Sequence, residues 1–194
     1  MSKKASPADR STVPPSVPPD VGTDGPPDHF PIVSSAHLAD GDAWQISELE
    51  YAMTMSYNAF SRWMTHCMAA AGQRDLNPLD ILVLHNVNHR EREKRLADIV
   101  FTLNVDDSHT VNYALKKLVK LGLVDGEKVG KELFYRTTTQ GAALCQAYRD
   151  VRQSCLVDAA LATNTTFEET SRAARLLRSI SGLYDQASRA ASSL

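Results

Sequence analysis

Three cysteines in 194 residues, Cys67, Cys145 and Cys155, are too few and too widely spaced for a disulfide framework or a zinc knuckle. Each falls on an apolar helical stripe, which points to a reducing, cytoplasmic setting. Long hydrophobic runs are missing as well: no stretch reaches the length of a membrane span, and the N-terminal segment has no apolar signal core. There is no excess of charge of one sign, because the formal net charge is only −2. That excludes a protein coated in positive charge. The residue constellations of catalysis are lacking: there is no P-loop, no GxGxxG, no G-x-S-x-G and no HExxH. His85 and His89 share one helix face, but two ligands alone rarely hold zinc, so both are expected at solvent or a helix end. The expectation is a protein that is not an enzyme and needs no metal or cofactor.

Proline is nearly absent from most of the chain, since eight of the nine fall within residues 7–31 among Ser, Asp, Gly and Thr. Such a segment cannot bury enough apolar surface to offset its ordering entropy, so residues 1–40 read as a disordered or extended tail. Residues 41–194 read as one folded domain, for which 43% hydrophobic residues suffice.

What the chain does have is concentrated in residues 95–141. Leu96, Ile99, Val100 and Leu103 step by i, i+3, i+4 and i+7, the pattern of a helix with one buried face. Asn104-Val105-Asp106-Asp107 breaks it with turn-favouring residues, and either Asp107 or Ser108 can cap the next helix. In that second helix Val111, Ala114, Leu115 and Leu118 repeat the apolar spacing. Gly122 stands where a left-handed residue ends a helix. A strand starting at Leu123-Val124, a turn over Asp125 to Glu132 and a return through Leu133-Phe134-Tyr135-Arg136-Thr137 then predict a β wing.

The outward face of the second helix carries His109, Asn112, Tyr113, Lys116 and Lys120, with Ser108 and Thr110 near its start. Asn, His, Ser and Thr can hydrogen-bond base edges, while lysines mainly meet phosphates. Polar residues opposite an apolar stripe are expected on any surface helix. A hairpin with Lys128 and Lys131 at its tip and Arg136 on its return is harder to explain by solubility alone. Residues 88–136 hold ten Lys/Arg against eight Asp/Glu, a modest local excess.

The order of Leu96-Ala97-Asp98, the polar helix, Lys120-Leu121-Gly122-Leu123-Val124, the wing, and Thr137-Thr138-Thr139-Gln140-Gly141 resembles the MarR (multiple antibiotic resistance regulator) family of winged-helix transcription factors. The likeness is strongest over residues 76–145. It implies a mainly α fold with a small β wing, a winged helix-turn-helix over about 76–138. Long dimerisation helices would run over about 46–71 and 140–193. It further implies a homodimer on a palindromic double-stranded DNA operator and a small-molecule or redox input. Ser108, His109, Thr110, Asn112, Tyr113 and Lys116 would enter the major groove. The sequence departs from the family in lacking an Asp-x-Arg element in the wing, which leaves the minor groove to Lys128 or Lys131. The alternative is a winged-helix protein-interaction module without DNA binding.

The flanking segments fit long helices. Ile46, Leu49, Met53, Tyr57, Phe60, Met64, Cys67 and Ala71 form one continuous stripe, with Ser47 and Glu50 as a capping-box pair. Trp44, Tyr51, Trp63 and Met68 lie outside that stripe. Asn77-Pro78 opens a helix to about Asn88, and the charged run 89–94 reads as a solvated connection. Thr138 or Thr139 can cap a helix over 140–161, buried along Leu144, Tyr148, Val151, Cys155 and Ala159. After a break at 162–165, Thr166 and Glu169 open a last helix whose Ala173, Leu177, Ile180, Tyr184, Ala187, Ala191 and Leu194 make a coiled-coil-like seam. Because some members of the resembled family sense oxidants through a cysteine near the first helix, Cys67 is the sensor candidate. His66 would lower its thiol pKa if close and charged.

Overall fold

A computed structural model describes residues 31–162 and 167–194, so the proline-rich segment through residue 30 and the cap at Thr166 lie outside the described residues. The chain divides into two units, residues 1–52 and 53–194, with helix α1 (Trp44–Ala70) running through the division.

In the first unit, Ala36–Leu38 form a single 3-10 turn, within the span to residue 40 expected to be a tail. The Ile32 N–H donates to Glu48 at 3.1 Å. Ser47 is not an N-cap. It stands a turn inside α1, and its hydroxyl donates to the Leu38 carbonyl.

The second unit holds the core. Helix α2 (Pro78–Asn88) starts as its sequence dictates: the Asn77 side chain accepts from the Asp80 N–H, and Asp80 returns the contact to the Asn77 N–H, both at 2.9 Å. Strand β1 (Lys94–Arg95) precedes helix α3 (Leu96–Leu103). Asn104 in the left-handed region (φ 51) turns the chain into helix α4 (Ser108–Lys120). Asp107 rather than Ser108 is the N-cap, accepting from the His109 N–H at 2.8 Å. Gly122, at φ 69, closes α4 with the Leu123 N–H bonded to the Leu118 carbonyl at 3.0 Å, the six-to-one closure of a Schellman motif.

Strands β2 (Val124–Val129) and β3 (Glu132–Thr137) pair antiparallel from Val124↔Thr137 to Val129↔Glu132. The turn is therefore two residues, Gly130-Lys131, not the eight-residue span from Asp125 to Glu132 expected above. Gly130 alone has a positive φ (63), which fits the type II′ turns that match strand twist. β1 adds to the other edge of β3, giving the order β1-β3-β2. The charged run is thus not a plain solvated connection. Lys94 is 5% exposed, and its Nζ donates to the carbonyls of Asn86 (3.0 Å) and His89 (2.7 Å), closing the C-terminus of α2. Burial, with Arg92 and Arg90 nearby, pushes its pKa down.

Thr138 caps helix α5 (Thr139–Arg152), accepting from the Gly141 N–H at 3.0 Å. A Cβ on Gly141 would meet the Leu123 carbonyl oxygen at 2.0 Å, so only glycine permits this approach of helix to wing. A π-helical stretch, Gln153–Val157, joins α5 to the short α6 (Asp158–Leu161). Helix α7 spans Phe167–Ala191.

Met64, Met68, Ile81, Leu84, Ile99, Leu115, Leu118 and Val124 are fully buried together. Each such side chain contributes about 1.5–3 kcal/mol on transfer from water. Met68, outside the predicted stripe of α1, is part of this core. Cys155 and Ala159, predicted buried, are exposed. So are Leu176, Leu177 and Leu183 on α7 and Met55, Tyr57 and Phe60 on α1.

Candidate nucleic-acid interface

Helix α4 is amphipathic by construction. Val111, Ala114, Leu115 and Leu118 face the core, and the helix carries three lysines and no acidic residue. Ser108, His109, Thr110, Tyr113 and Lys116 are exposed on its far side. Tyr113 is 74% exposed, with Lys116 Nζ 5.9 Å from its ring centroid, a cation–π arrangement. The Thr110 hydroxyl donates to the Asp107 carbonyl at 2.7 Å, which leaves its lone pairs and methyl group outward.

Asn112 differs from its neighbours. It is half-buried and lines a groove with Arg95, Leu96, Glu132, Leu133 and Tyr135, at the junction of helix and wing. Simple periodicity placed it on the open face and missed that the wing covers this flank.

Lys117, next to the exposed Lys116, turns inward. Its Nζ donates to Asp80 at 2.7 Å, and the Asp80 side chain is only 3% exposed. The wing is tied close to its turn. Arg95 forks onto Asp98 (3.1 and 3.2 Å) and reaches Glu132 at 3.0 Å. That guanidinium holds the Asp98 pKa below its ordinary value. Lys128 and Lys131 are exposed near the hairpin tip, yet β2, β3 and their turn carry three basic and three acidic residues and so are neutral overall.

The electrostatics of Cys67 run opposite to the sequence expectation. Cys67 is 1% exposed, its Sγ–H donates to the Tyr148 carbonyl at 3.5 Å, and burial raises rather than lowers its thiol pKa. His66 is exposed, and the charges bearing on the thiol are those of Cys155 and Arg152. Burial pushes the Cys145 thiol further, to about 11.

His85 is not a solvent histidine either. Its ring packs edge-on against Tyr148, with centroids 4.6 Å apart, and its buried Nε2 has no hydrogen-bond partner. Burial lowers its pKa. It opens onto a cavity of about 380 Å³ shared with Cys145, Gln146, Arg149 and Arg152. His89 is exposed at the end of α2.

Phe101 carries no warning in the sequence. It sits on α3, lines a surface cavity together with Ser108 of α4, and is 87% exposed, although its neighbours Ile99 and Val100 pack inward.

Residues 76–141 match the family model described as a winged helix DNA-binding domain. Among solved structures, a cysteine-to-serine mutant of MarR from Escherichia coli complexed with operator DNA aligns at 20% identity. That alignment has a TM-score of 0.58 and covers 72% of this chain and 99% of that one. A MarR family regulator from Neisseria meningitidis aligns at 20% identity and a TM-score of 0.58, covering 74% and 95%. Staphylococcus aureus MarR in complex with salicylate and kanamycin aligns at 13% identity and a TM-score of 0.59, also covering 74% and 95%. No curated protein matches the sequence. The chain carries a winged helix, and its helical surround has the arrangement found in the MarR structures.

Proposed function

We propose that this chain is a MarR-type transcription regulator, a homodimer that binds a palindromic DNA operator and responds to a small molecule. The observation that carries this reading is the exposed, lysine-bearing face of α4 beside a hairpin with Lys128 and Lys131 near its tip. Ser108, His109, Thr110, Tyr113 and Lys116 would meet the major groove, Asn112 would act from the helix–wing groove, and the two wing lysines would meet the backbone. The operator complex of the Escherichia coli protein supports the DNA reading through the shared fold.

The apolar residues exposed on α1 and α7 support a dimer, since long helices with such faces must pack on something. A two-fold pair would set the recognition helices about one DNA turn (~34 Å) apart. The cavity around His85 supports an effector site, in keeping with the salicylate complex of the Staphylococcus aureus protein. Cys67 stays in this proposal as a packed residue rather than a thiolate sensor, because its burial disfavours the reactive thiolate.

A second reading, a protein-interaction module, is favoured by the exposed Phe101 and the neutral wing. Selection from random duplex DNA, followed by binding at several salt concentrations, separates the two. A regulator enriches a palindrome and loses affinity steeply with salt through counterion release, whereas an apolar protein contact responds little. Failure to enrich any sequence, with no DNA binding at low salt, overturns the first reading. Sedimentation at micromolar concentration tests the dimer.

A further inference from the structure

We propose that the cavity between the charged connection after α2 and the start of α5 is a binding site for a small phosphate-bearing molecule. It has a volume of about 380 Å³ and is lined by Val87, Asn88, Arg92, Arg136, Ala142 and the three threonines 137–139. Nothing in the function proposed above uses it.

Four observations point to an anion. Two arginines from separate elements, Arg92 before β1 and Arg136 on β3, open onto the cavity, and no Asp or Glu is among its lining residues. Neither arginine forms an ion pair among the described side chains, unlike Arg95, which is fully engaged by Asp98 and Glu132. Helix α5 begins at this wall. Its Thr138 hydroxyl already serves the Gly141 N–H and the Gly122 carbonyl, which leaves the Thr139 and Gln140 N–H groups without partners among the described residues. Finally, the Thr137 hydroxyl on the same wall is buried with no hydrogen-bond partner.

The chemistry selects phosphate over other anions. Guanidinium forks arriving from two directions, with main-chain N–H groups at a helix N-terminus, match a tetrahedral dianion with several acceptor oxygens. Val87 and Ala142 offer an apolar floor for the rest of a small ester. The opposing charges are few. Asp125 stands across the strand pair from Arg136, and Asp98 lies within electrostatic reach of Arg92. A DNA phosphate is the other possible source of this group. The position of Arg136 argues against it: it lies five residues from Lys131 in the turn, about 16 Å along the strand at ~3.3 Å per residue. The cavity therefore belongs to the root of the wing, away from its tip.

The test is calorimetric titration of the full chain with inorganic phosphate and with glycerol 3-phosphate, in chloride buffer at constant ionic strength. Saturable binding is expected, weakened at least tenfold by Arg92→Gln and by Arg136→Gln, and weakened less by Arg92→Lys and Arg136→Lys, which keep the charge but lose the fork. Arg74→Gln, on the exposed segment before α2, should leave it unchanged. The proposal is overturned if neither probe binds saturably at millimolar concentration, or if the two glutamine variants bind like wild type while their melting temperatures match. It is also overturned if those variants lose DNA affinity uniformly, with a shallower salt slope, but keep phosphate affinity, since the arginines would then serve the nucleic acid. DNA binding by the wild type is read separately, so loss of the phosphate site and loss of the regulator reading remain distinct results.

Discussion

Lys117 on α4 and Asp80 in the first turn of α2 are joined by a 2.7 Å ion pair that ties α4 to the helix behind it. Asp80 also accepts the Asn77 N–H at 2.9 Å, so one buried carboxylate closes its own helix N-terminus and holds a neighbouring helix. Replacing Lys117 with methionine strands that carboxylate. Breaking a buried pair costs about 3–5 kcal/mol when both ions are enclosed. Lys117 is 39% exposed and Asp80 keeps a second donor, so a loss of about 1–3 kcal/mol is expected. Denaturant unfolding measures it, and Asp80→Asn on the same background should recover part of the loss. A Lys117→Met protein as stable as wild type would mean the pair contributes nothing.

Base reading and backbone contact should separate by residue. Tyr113→Ala and Asn112→Ala should relax preference at individual operator positions, by about 1–3 kcal/mol each where a base edge is read. Lys131→Ala should weaken all sequences alike and lower the salt slope by about one. A binding profile across a randomised operator library is the readout. Unchanged profiles for both helix variants would remove those two residues from the reading set.

The three thiols should react in an order set by burial. Cys155 is exposed, whereas Cys67 and Cys145 are buried with raised pKa values. Alkylation of the native protein at pH 8 should therefore label Cys155 first, with Cys67 and Cys145 following only as the fold opens. Cys67→Ser should leave any loss of DNA binding to peroxide unchanged. If instead Cys67 is labelled fastest, or its serine variant alone ignores peroxide, the sensor role returns.

His85 predicts a pH dependence of stability. Its folded pKa lies below the ordinary 6.5, so as pH falls the unfolded chain takes up the proton first. The stabilisation is complete above pH 6.5 and is lost as pH drops through that value toward the folded pKa. Melting temperature between pH 7.5 and 5 should fall less steeply for His85→Gln than for wild type; equal slopes would assign the dependence to other groups.

The sequence carried the winged helix because its signals there are local. Asn77-Pro78 before α2, the Asn104–Asp107 break and Gly122 each dictate one backbone event, and all three occur where the residues stand. What stayed hidden depends on partners distant in the chain. Lys94 looks like one more charge in a solvated run until Tyr135 pairs with it and the α2 carbonyls take its ammonium. Asn112 shares helical phase with exposed residues, and only the wing, twenty residues on, turns its flank into a groove. Cys67 carries no local mark of its burial, which comes from α5 through the Tyr148 carbonyl. The hairpin was read too short because Asp125, Gly126 and Glu127 are poor strand formers, overridden here by pairing with Phe134, Tyr135 and Arg136.

Gly141 makes a lever of the helical arm behind the wing. With no side chain at this point, α5 rests directly against the Leu123 carbonyl, and its far end, at Leu161 of α6, lies roughly 30 Å away at ~1.5 Å per residue. A tilt of about 5° at that contact would swing that end by about 3 Å over the same length. Alanine at 141 has nowhere to put its methyl group except against that carbonyl, so the arm would have to tilt. In a dimer joined through such arms, the error would be read out as a changed distance between the two halves of the operator.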